Sequence, residues 1–343
     1  MQTESRVSLF TVRSQEEQVD IMQSRLAHTT QRIETSHEVR SRGRDVCPVC
    51  GGQSAGTGGI AGWGDWRACA ECTLLFASPI WDGTNPAELF NNAYLGAESA
   101  AGMQDFAQRL DERDGVLKDP TLWFWTPAYE RAITWLGEVA GREGTILDLG
   151  CGPGYVLHAL KNMGFTPIGL DVAERAVAVN RQDGFKVWHG TVDDYPQNWP
   201  VPDAVVSFFV LHHFDRPLET IKSVRRKWPG ARLAIATYGP TNYDPVRTAP
   251  PRTLTRWNEK SLRGLLTRAG YFAKVVNFPS TGTEDWHLRP AGRVRRRIEL
   301  SAAGVRLSKR IENRILPLLL RPLRKPDFVV LGLATSDPRT IMS

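Results

Sequence analysis

The sequence predicts an α/β fold in which a mainly parallel sheet carries helices on both faces. Short apolar runs alternate with helical stretches through the second half of the chain, as in folds built from strand–helix units. A turn with three glycines follows the first run, Thr145–Leu149, and Asp171 ends the second. Together these observations predict a ligand site at the carboxyl edge of the sheet.

The predicted elements begin with a helix from Leu122 to Val139, in which Trp123, Trp125 and Trp135 are expected to pack against the sheet. Glu259–Ala269 is a further predicted helix, which Gly270 closes. The seven predicted strands cover 145–149, 166–171, 185–189, 203–209, 231–237, 271–277 and 328–334.

The glycine turn runs from Gly150 to Gly154, with glycine at every second position. Glycine permits a tight turn and close approach of the backbone to a ligand. Pro153 suits the start of the helix that follows, whose first N–H groups would point at that ligand.

The spacing of this turn distinguishes it from a dinucleotide fingerprint, which needs G-x-G-x-x-G. Here the third glycine comes one residue early, and Tyr155 stands where the fingerprint has Gly or Ala. Asp171, 17 residues after Gly154, is suited to holding the two hydroxyls of a ribose.

This combination resembles the cofactor site of the class I S-adenosylmethionine (SAM)-dependent methyltransferases. The resemblance implies a Rossmann-like, mainly parallel seven-stranded sheet, with the last strand antiparallel beside its neighbour. It places Asp148 and the turn along the amino-acid part of SAM, Asp171 at the ribose, and Thr191 at the adenine amino group, where the family often has Asp. The implied cofactor-binding residues are Asp148, Gly150, Cys151, Gly152, Gly154, Asp171, Val172, Thr191, Val192 and Phe208.

Two histidines follow the fourth strand, in the segment that faces both methionine and acceptor in the family. A histidine is common there at the position of His213, whereas the family usually has Glu at that of His212. Imidazole, with an ordinary pKa of about 6.5, can take a proton from an acceptor hydroxyl at neutral pH. We expect His213 to be the catalytic base and keep His212 as the second candidate; the alternative is a histidine that only hydrogen-bonds the backbone.

Four cysteines form two C-x-x-C pairs, Cys47/Cys50 and Cys69/Cys72, with eighteen residues between them. Two such pairs supply the four thiolates of a tetrahedral Zn²⁺ site. Two disulfides or a redox pair are the alternatives, but nothing in the sequence indicates an oxidising compartment. Because the protein would supply all four ligands, we expect the zinc to be structural. Some bacterial methyltransferases that act on sugars in polysaccharide or natural-product pathways resemble this arrangement.

Composition and charge are those of a globular protein with one unusual segment. The chain has 343 residues and a net charge of +6, but 289–325 alone holds twelve basic and two acidic residues, so the rest is about −4. No secretory signal or apolar run long enough to cross a bilayer is evident, which predicts a cytoplasmic protein. The basic segment 293–325 is predicted to be an amphipathic helical lid, a contact with an anionic membrane face or glycolipid, or a nucleic-acid patch.

The predicted organisation is a polar arm at 1–44, a zinc ribbon at 45–82 and a methyltransferase domain at 83–343, with a basic helical insertion at 279–325. The predicted activity is methyl transfer to a small-molecule or glycan acceptor, with a hydroxyl favoured. C-methylation of a keto-sugar, RNA ribose methylation and a non-catalytic SAM-fold binding protein are the alternatives. DNA methylation is disfavoured, since no Asn/Asp-Pro-Pro-Tyr/Phe motif follows the fourth strand and the fifth cysteine, Cys151, lies within the turn.

Overall fold

The structure is a computed structural model. It describes residues 40–59, 65–78, 80–82, 106, 109–111, 113–115, 117–118, 126–141, 143–240, 253–280 and 325–340. The chain divides into two units, Met1–Arg40 and Ser41–Ser343. Residues 1–39 of the predicted polar arm, Trp123, Trp125 and nearly all of the basic insertion lie outside the described residues.

The second unit is built on a seven-stranded sheet, and the seven strands occupy the seven predicted regions. The strands are β6 (Thr145–Leu149), β7 (Thr166–Asp171), β8 (Lys186–His189), β9 (Ala204–Phe208), β10 (Arg232–Tyr238), β12 (Phe272–Ser280) and β13 (Lys325–Thr335).

The strand order is β12-β13-β10-β9-β6-β7-β8. Pairing is parallel from β10 through β9, β6 and β7 to β8. The last strand, β13, runs antiparallel to both β12 and β10 and therefore lies between them. The predicted α/β class, Rossmann-like with a mainly parallel seven-stranded sheet, is confirmed.

Helices cover the sheet, and the alternation of side chains along each strand explains how both faces are buried. Ile146 packs with one hydrophobic cluster, and its neighbour Leu147 packs with another on the opposite face. Trp135 is buried with the first cluster, as predicted. The helices are α1 (Thr126–Ala140), α2 (Tyr155–Asn162), α3 (Glu174–Gln182), α4 (Pro217–Lys227) and α5 (Glu259–Arg268).

The cysteine-containing region forms a second, four-stranded antiparallel sheet in the order β11-β4-β3-β2. Three of its strands come from the ribbon, namely β2 (Ser54–Gly59), β3 (Asp65–Cys69) and β4 (Leu75–Ser78). The fourth, β11 (Thr255–Arg256), comes from a point far along the chain, just before α5. The short strands β1 (Arg40–Arg42) and β5 (Ile80–Asp82) pair separately.

The ribbon and the large sheet share one hydrophobic core. Leu74 and Phe76 of the ribbon belong to the same buried cluster as Leu147 and Leu262. The predicted boundary at residue 82 therefore marks a change of sheet within a continuous core. Among the described residues, no helix combines the length and apolar character that crossing a membrane requires.

Candidate active site and metal site

The four ribbon cysteines converge at one point. Each offers a sulfur, and these four atoms lie within 4.8 Å of one another. The Sγ atoms of Cys47 and Cys72 are 3.5 Å apart, and those of Cys50 and Cys69 are 3.3 Å apart. Bonds of about 2.3 Å in a tetrahedral ZnS₄ centre separate sulfurs by about 3.8 Å, so these two pairs need to move apart only slightly to hold the ion.

The surroundings of the cysteines also suit thiolates. Backbone N–H groups of Val49, Gly52 and Cys72 point at the sulfurs of Cys47, Cys50 and Cys69, at 3.5, 3.4 and 3.4 Å. The Cys72 thiol donates to Cys47 and lowers the pKa of Cys47 to about 5. Two sulfurs that share a proton in this way can exchange it for a divalent cation. All five described cysteines are free thiols, against the disulfide alternative.

The glycine turn is fixed to the end of strand β7. The N–H groups of Gly150 and Cys151 both donate to the Leu170 carbonyl, at 2.7 and 3.2 Å. Gly154 adopts φ +93°, and a Cβ there would lie 2.0 Å from Asn180 Oδ1, so only glycine fits. Both the positive φ and the packing against Asn180 therefore require glycine at this position.

Two carboxylates lie beside the turn. Asp148, on β6, is 2% exposed, and its Oδ2 has no hydrogen-bond partner in the described part of the chain. Asp171 ends β7 and accepts hydrogen bonds from the N–H groups of Gly152 and Ala173, at 2.7 and 2.8 Å. Burial, reinforced by Asp171, raises the pKa of Asp148 well above its ordinary value, and burial also raises that of Asp171. A cation placed here would relieve this unfavourable concentration of negative charge.

The predicted adenine contacts lie on the loops after β7 and β8. Val172 is half-buried, and its carbonyl accepts a 3.0 Å bond from His189 Nε2. Thr191 is exposed and donates its hydroxyl to Asp194 Oδ2 at 2.7 Å, which leaves the hydroxyl lone pairs able to accept a bond. Val192 is buried.

Strand β9 ends in a strained turn that leads to the two histidines. Phe208 is buried against Tyr129, with ring centroids 4.6 Å apart. Phe209 adopts φ +59°, a conformation that a bulky residue rarely takes, and its N–H donates a 2.7 Å bond to the Ala236 carbonyl. Strain of this kind concentrates at functional sites, and here it sets the direction of the segment that follows.

The two histidines differ in their surroundings. His212 is 2% exposed, and its Nδ1 has no hydrogen-bond partner among the described residues. Burial, with a contribution from His213 and from Arg256, lowers the pKa of His212 well below its ordinary value, so this ring stays neutral. His213 is partly exposed, with its ring centroid 4.0 Å from that of His212. His213 is thus the more accessible of the two.

Sequence reasoning missed two residues that contact the turn. Asn180 is fully buried and donates Nδ2 to the Gly152 carbonyl at 2.7 Å. Asn180 lies on the same face of α3 as the buried residues Ala176 and Val177. A polar residue on an apolar helix face needs a hydrogen-bond partner, so the sequence could have indicated that Asn180 makes a buried contact. Arg113 donates to the Pro153 carbonyl at 2.9 Å, and no local pattern indicates this contact.

The segment before β11 was also missed as a neighbour of the histidines. The Leu254 N–H donates a 2.7 Å bond to the His212 carbonyl. Tyr238, at the end of β10, has its ring centroid 4.5 Å from that of His212 and 5.0 Å from that of Phe209. Aromatic rings therefore continue from Phe209 through Tyr238 to the histidines.

Comparison with known families shows a match to a methyltransferase domain over residues 124–273. That range contains β6 to β10, the glycine turn, both carboxylates and both histidines.

Curated relatives match over a similar or shorter length of the chain. Methyltransferase AacuQ of Aspergillus aculeatus is 28% identical over 153 residues, 43% of this chain and 49% of the relative. A probable S-adenosylmethionine-dependent methyltransferase of Mycolicibacterium smegmatis is 30% identical over 137 residues, 38% of this chain and 52% of the relative. A ubiquinone biosynthesis O-methyltransferase of Pseudomonas paraeruginosa is 30% identical over 114 residues, 31% of this chain and 49% of the relative. The chain thus spans about half the length of the curated relatives that it matches.

A solved S-adenosylmethionine-dependent methyltransferase from Mesorhizobium loti overlaps 61% of this chain and 97% of its own, at 19% identity and a TM-score of 0.41. The fold assignment depends on the strand order given above and not on this overlap. Residues 124–273 of this chain thus match a methyltransferase domain, and they contain the glycine turn and the two carboxylates at the carboxyl edge of the sheet.

Proposed function

We propose that the protein transfers a methyl group from SAM to a hydroxyl of a small-molecule or glycan acceptor. The observation that carries this proposal is the pair of buried carboxylates, Asp148 and Asp171, beside the glycine turn. SAM carries a sulfonium and an ammonium group, whereas a dinucleotide carries a pyrophosphate. Asp148, once ionised, would attract these cationic groups and repel a pyrophosphate, which favours SAM over NAD or a flavin dinucleotide.

Each part of the cofactor has a group suited to it. Asp148, with an oxygen that lacks a partner among the described residues, would accept from the ammonium group, and Asp171 would hold the ribose hydroxyls. Val172, Thr191 and Val192 would contact the adenine. SAM supplies an electrophilic methyl group when bound, and the protein aligns the acceptor with it.

The histidine segment offers the base. His213 is partly exposed and follows the strained turn at Phe209, at the carboxyl end of β9. It would take the acceptor hydroxyl's proton as the oxygen attacks the methyl group. His212 is buried and held neutral, which suits it better to support the position of His213 than to contact the acceptor.

A row of aromatic rings indicates a flat or ring-shaped acceptor. Phe209 and Tyr238 are partly exposed and in ring contact, and the buried ring of His212 connects Tyr238 to the partly exposed His213. Aromatic faces bind both phenolic rings and the apolar faces of sugars. This row favours an acceptor that contains a ring. A keto-sugar acceptor for C-methylation would bind the same row of aromatic rings.

The metal in the ribbon is proposed to be one structural Zn²⁺. Four cysteines would occupy all four tetrahedral positions, so no position remains open for a reactive water. We keep as expectations the cytoplasmic location and the contact of the basic segment 293–325 with an anionic membrane face. Residues 293–324 of that segment lie outside the described residues.

Cofactor binding tests the proposal directly. Wild-type protein should bind SAM and S-adenosylhomocysteine in calorimetry, and Asp171→Ala should weaken SAM binding by about 2–3 kcal/mol, because bonds to a charged group are strong. Asp193→Ala, which removes an exposed carboxylate from the nearby loop, is the matched control. Wild-type protein that fails to bind SAM, or Asp171→Ala protein that binds it within about two-fold of wild type, would contradict this assignment.

Transfer itself can be followed with SAM carrying a labelled methyl group and a panel of phenols, catechols, sugar nucleotides and RNA. Label in a phenol or a sugar hydroxyl is the expected result. Label that accumulates in RNA alone would replace the proposed acceptor class.

A further inference from the structure

We propose that Arg113 is a positioning residue for the cofactor, and that it acts on the half of the site that receives the amino-acid part of SAM. This inference rests on the proposed cofactor. It concerns a residue outside the matched methyltransferase domain, which begins at residue 124.

The first step in the argument is how Arg113 is held. Its side chain is buried, and its NH1 atom donates to Asp183 Oδ2 at 2.8 Å. Its Nε atom donates to Asp114 Oδ1 at 3.0 Å. Asp183 follows α3 and also accepts from His158 Nε2 at 3.2 Å. A planar guanidinium anchored in this way has little freedom, and its remaining donor directions are fixed.

The second step is what Arg113 holds. The same NH1 atom donates a 2.9 Å bond to the carbonyl oxygen of Pro153, inside the glycine turn. The peptide that joins Pro153 to Gly154 is held at both ends: the Gly154 N–H donates to the Cys151 carbonyl at 2.9 Å, and Arg113 donates to the Pro153 carbonyl. The bond fixes the peptide plane that leads into Gly154 and the first turn of α2.

The third step is that the two halves of the turn are held separately. Gly152 donates its N–H to Asp171, and Asn180 holds the Gly152 carbonyl at 2.7 Å. These contacts lie on the ribose side. Arg113 holds the next carbonyl along the chain, on the side of the α2 N-terminus, whose N–H groups suit a carboxylate. Arg113 therefore orients the part of the site that faces the amino acid and leaves the Asp171 contacts in place.

A second contact fixes the same segment without touching the turn. Among the described residues between 106 and 118, the Phe106 ring lies 4.9 Å from the Arg175 guanidinium on α3. Arg175 thus provides a matched control. Arg175→Met removes the contact of an arginine with Phe106 but leaves the bond to the Pro153 carbonyl in place.

The test compares two ligands that share the adenosine and the sulfur. S-adenosylhomocysteine carries the amino-acid part, and 5′-methylthioadenosine has a methyl group in its place. In Arg113→Met, we expect the dissociation constant for S-adenosylhomocysteine to rise by about ten-fold and that for 5′-methylthioadenosine by less than about three-fold. Arg113→Lys, which keeps a charged donor, should recover part of the loss. Arg175→Met should leave both constants within about two-fold of wild type.

The outcomes separate this inference from the proposed function. An equal loss for both ligands, or the same selective loss in Arg175→Met, would overturn the role of Arg113, because a general loosening of the segment would explain it. If Arg113→Met does not fold, Arg113→Lys tests the inference, which requires that this variant lose affinity for S-adenosylhomocysteine and not for 5′-methylthioadenosine. Wild-type protein that binds neither ligand would instead count against the proposed cofactor.

Discussion

The N–H group of Leu254 donates a 2.7 Å hydrogen bond to the carbonyl oxygen of His212. The Leu254 carbonyl in turn accepts a 2.9 Å bond from the N–H of Ala77, on ribbon strand β4. One residue therefore joins the ribbon sheet to the segment that carries both histidines. The ribbon is thus a direct support for the proposed active site and not a separate appendage.

Loss of the metal should consequently loosen the histidine segment. Purified protein is expected to contain one zinc per chain, and Cys72→Ser should lose it and unfold the ribbon, since ligation energy is largely folding energy in such modules. Amide hydrogen exchange at 211–214 should then accelerate, while exchange in β7, on the far side of the sheet, should change little. Cys151→Ser, in which the cysteine outside the cluster is replaced, should keep the zinc. Normal protection at 211–214 in zinc-free protein would contradict this coupling.

Binding of SAM should release a proton from Asp148. The raised pKa means that the folded protein without cofactor keeps a proton on this carboxyl at pH values where a free Asp, with a pKa of about 3.9, has lost it. The unliganded protein should therefore lose stability as the pH rises through the raised pKa, and affinity for the cationic cofactor should increase over the same range. Calorimetry in buffers of different ionisation enthalpy measures the number of protons released when SAM binds. Asp148→Asn should abolish this release. An affinity for SAM that increases as the pH falls would contradict this prediction.

Gly154→Ala should damage both stability and cofactor binding. The new methyl group would meet Asn180 Oδ1 at 2.0 Å, and the residue would be held at φ +93°. We expect a loss of about 2–3 kcal/mol in the free energy of unfolding, the upper end for a single substitution. Gly164→Ala is the matched control, because Gly164 has φ +92° but open space around its Cβ position. Equal losses in the two variants would show that backbone strain, and not contact with Asn180, limits this position.

His213→Ala should lower kcat by about 10²–10⁴-fold and leave SAM affinity nearly intact, because a base acts on the acceptor and not on the cofactor. With an acidic phenol as acceptor, the loss should shrink at high pH, since that group ionises without help. With a sugar hydroxyl, it should persist across the accessible pH range. Near-normal activity at neutral pH would return His213 to a structural role, and the parallel variant His212→Ala would then test the second candidate.

The sequence was sufficient for the elements near the cofactor because their signals are local. The run Thr145–Leu149, the glycine turn and Asp171 lie within one strand–turn–helix–strand unit, and the structure places them together as predicted. The bounds of β6 and β7 are as predicted, and those of the other strands differ by one to three residues, most at the end of β12, Ser280 and not 277, and at the start of β13, Lys325 and not 328. The roles of the predicted site residues stay predictions that the variants above test.

The sequence by itself determined the fold class, the position of the glycine turn and the meeting of four cysteines, because periodicity and spacing encode them. Only the tertiary structure decided three further relationships. Thr255–Arg256 completes the ribbon sheet, Arg113 holds the Pro153 carbonyl, and Leu254 contacts His212. Each joins residues about 40 or more positions apart through a backbone carbonyl, which every residue has; in two of the three the donor is also a backbone N–H, and in the third it is the Arg113 side chain. Such contacts leave no mark in residue type or period, so they emerge only when the chain is folded.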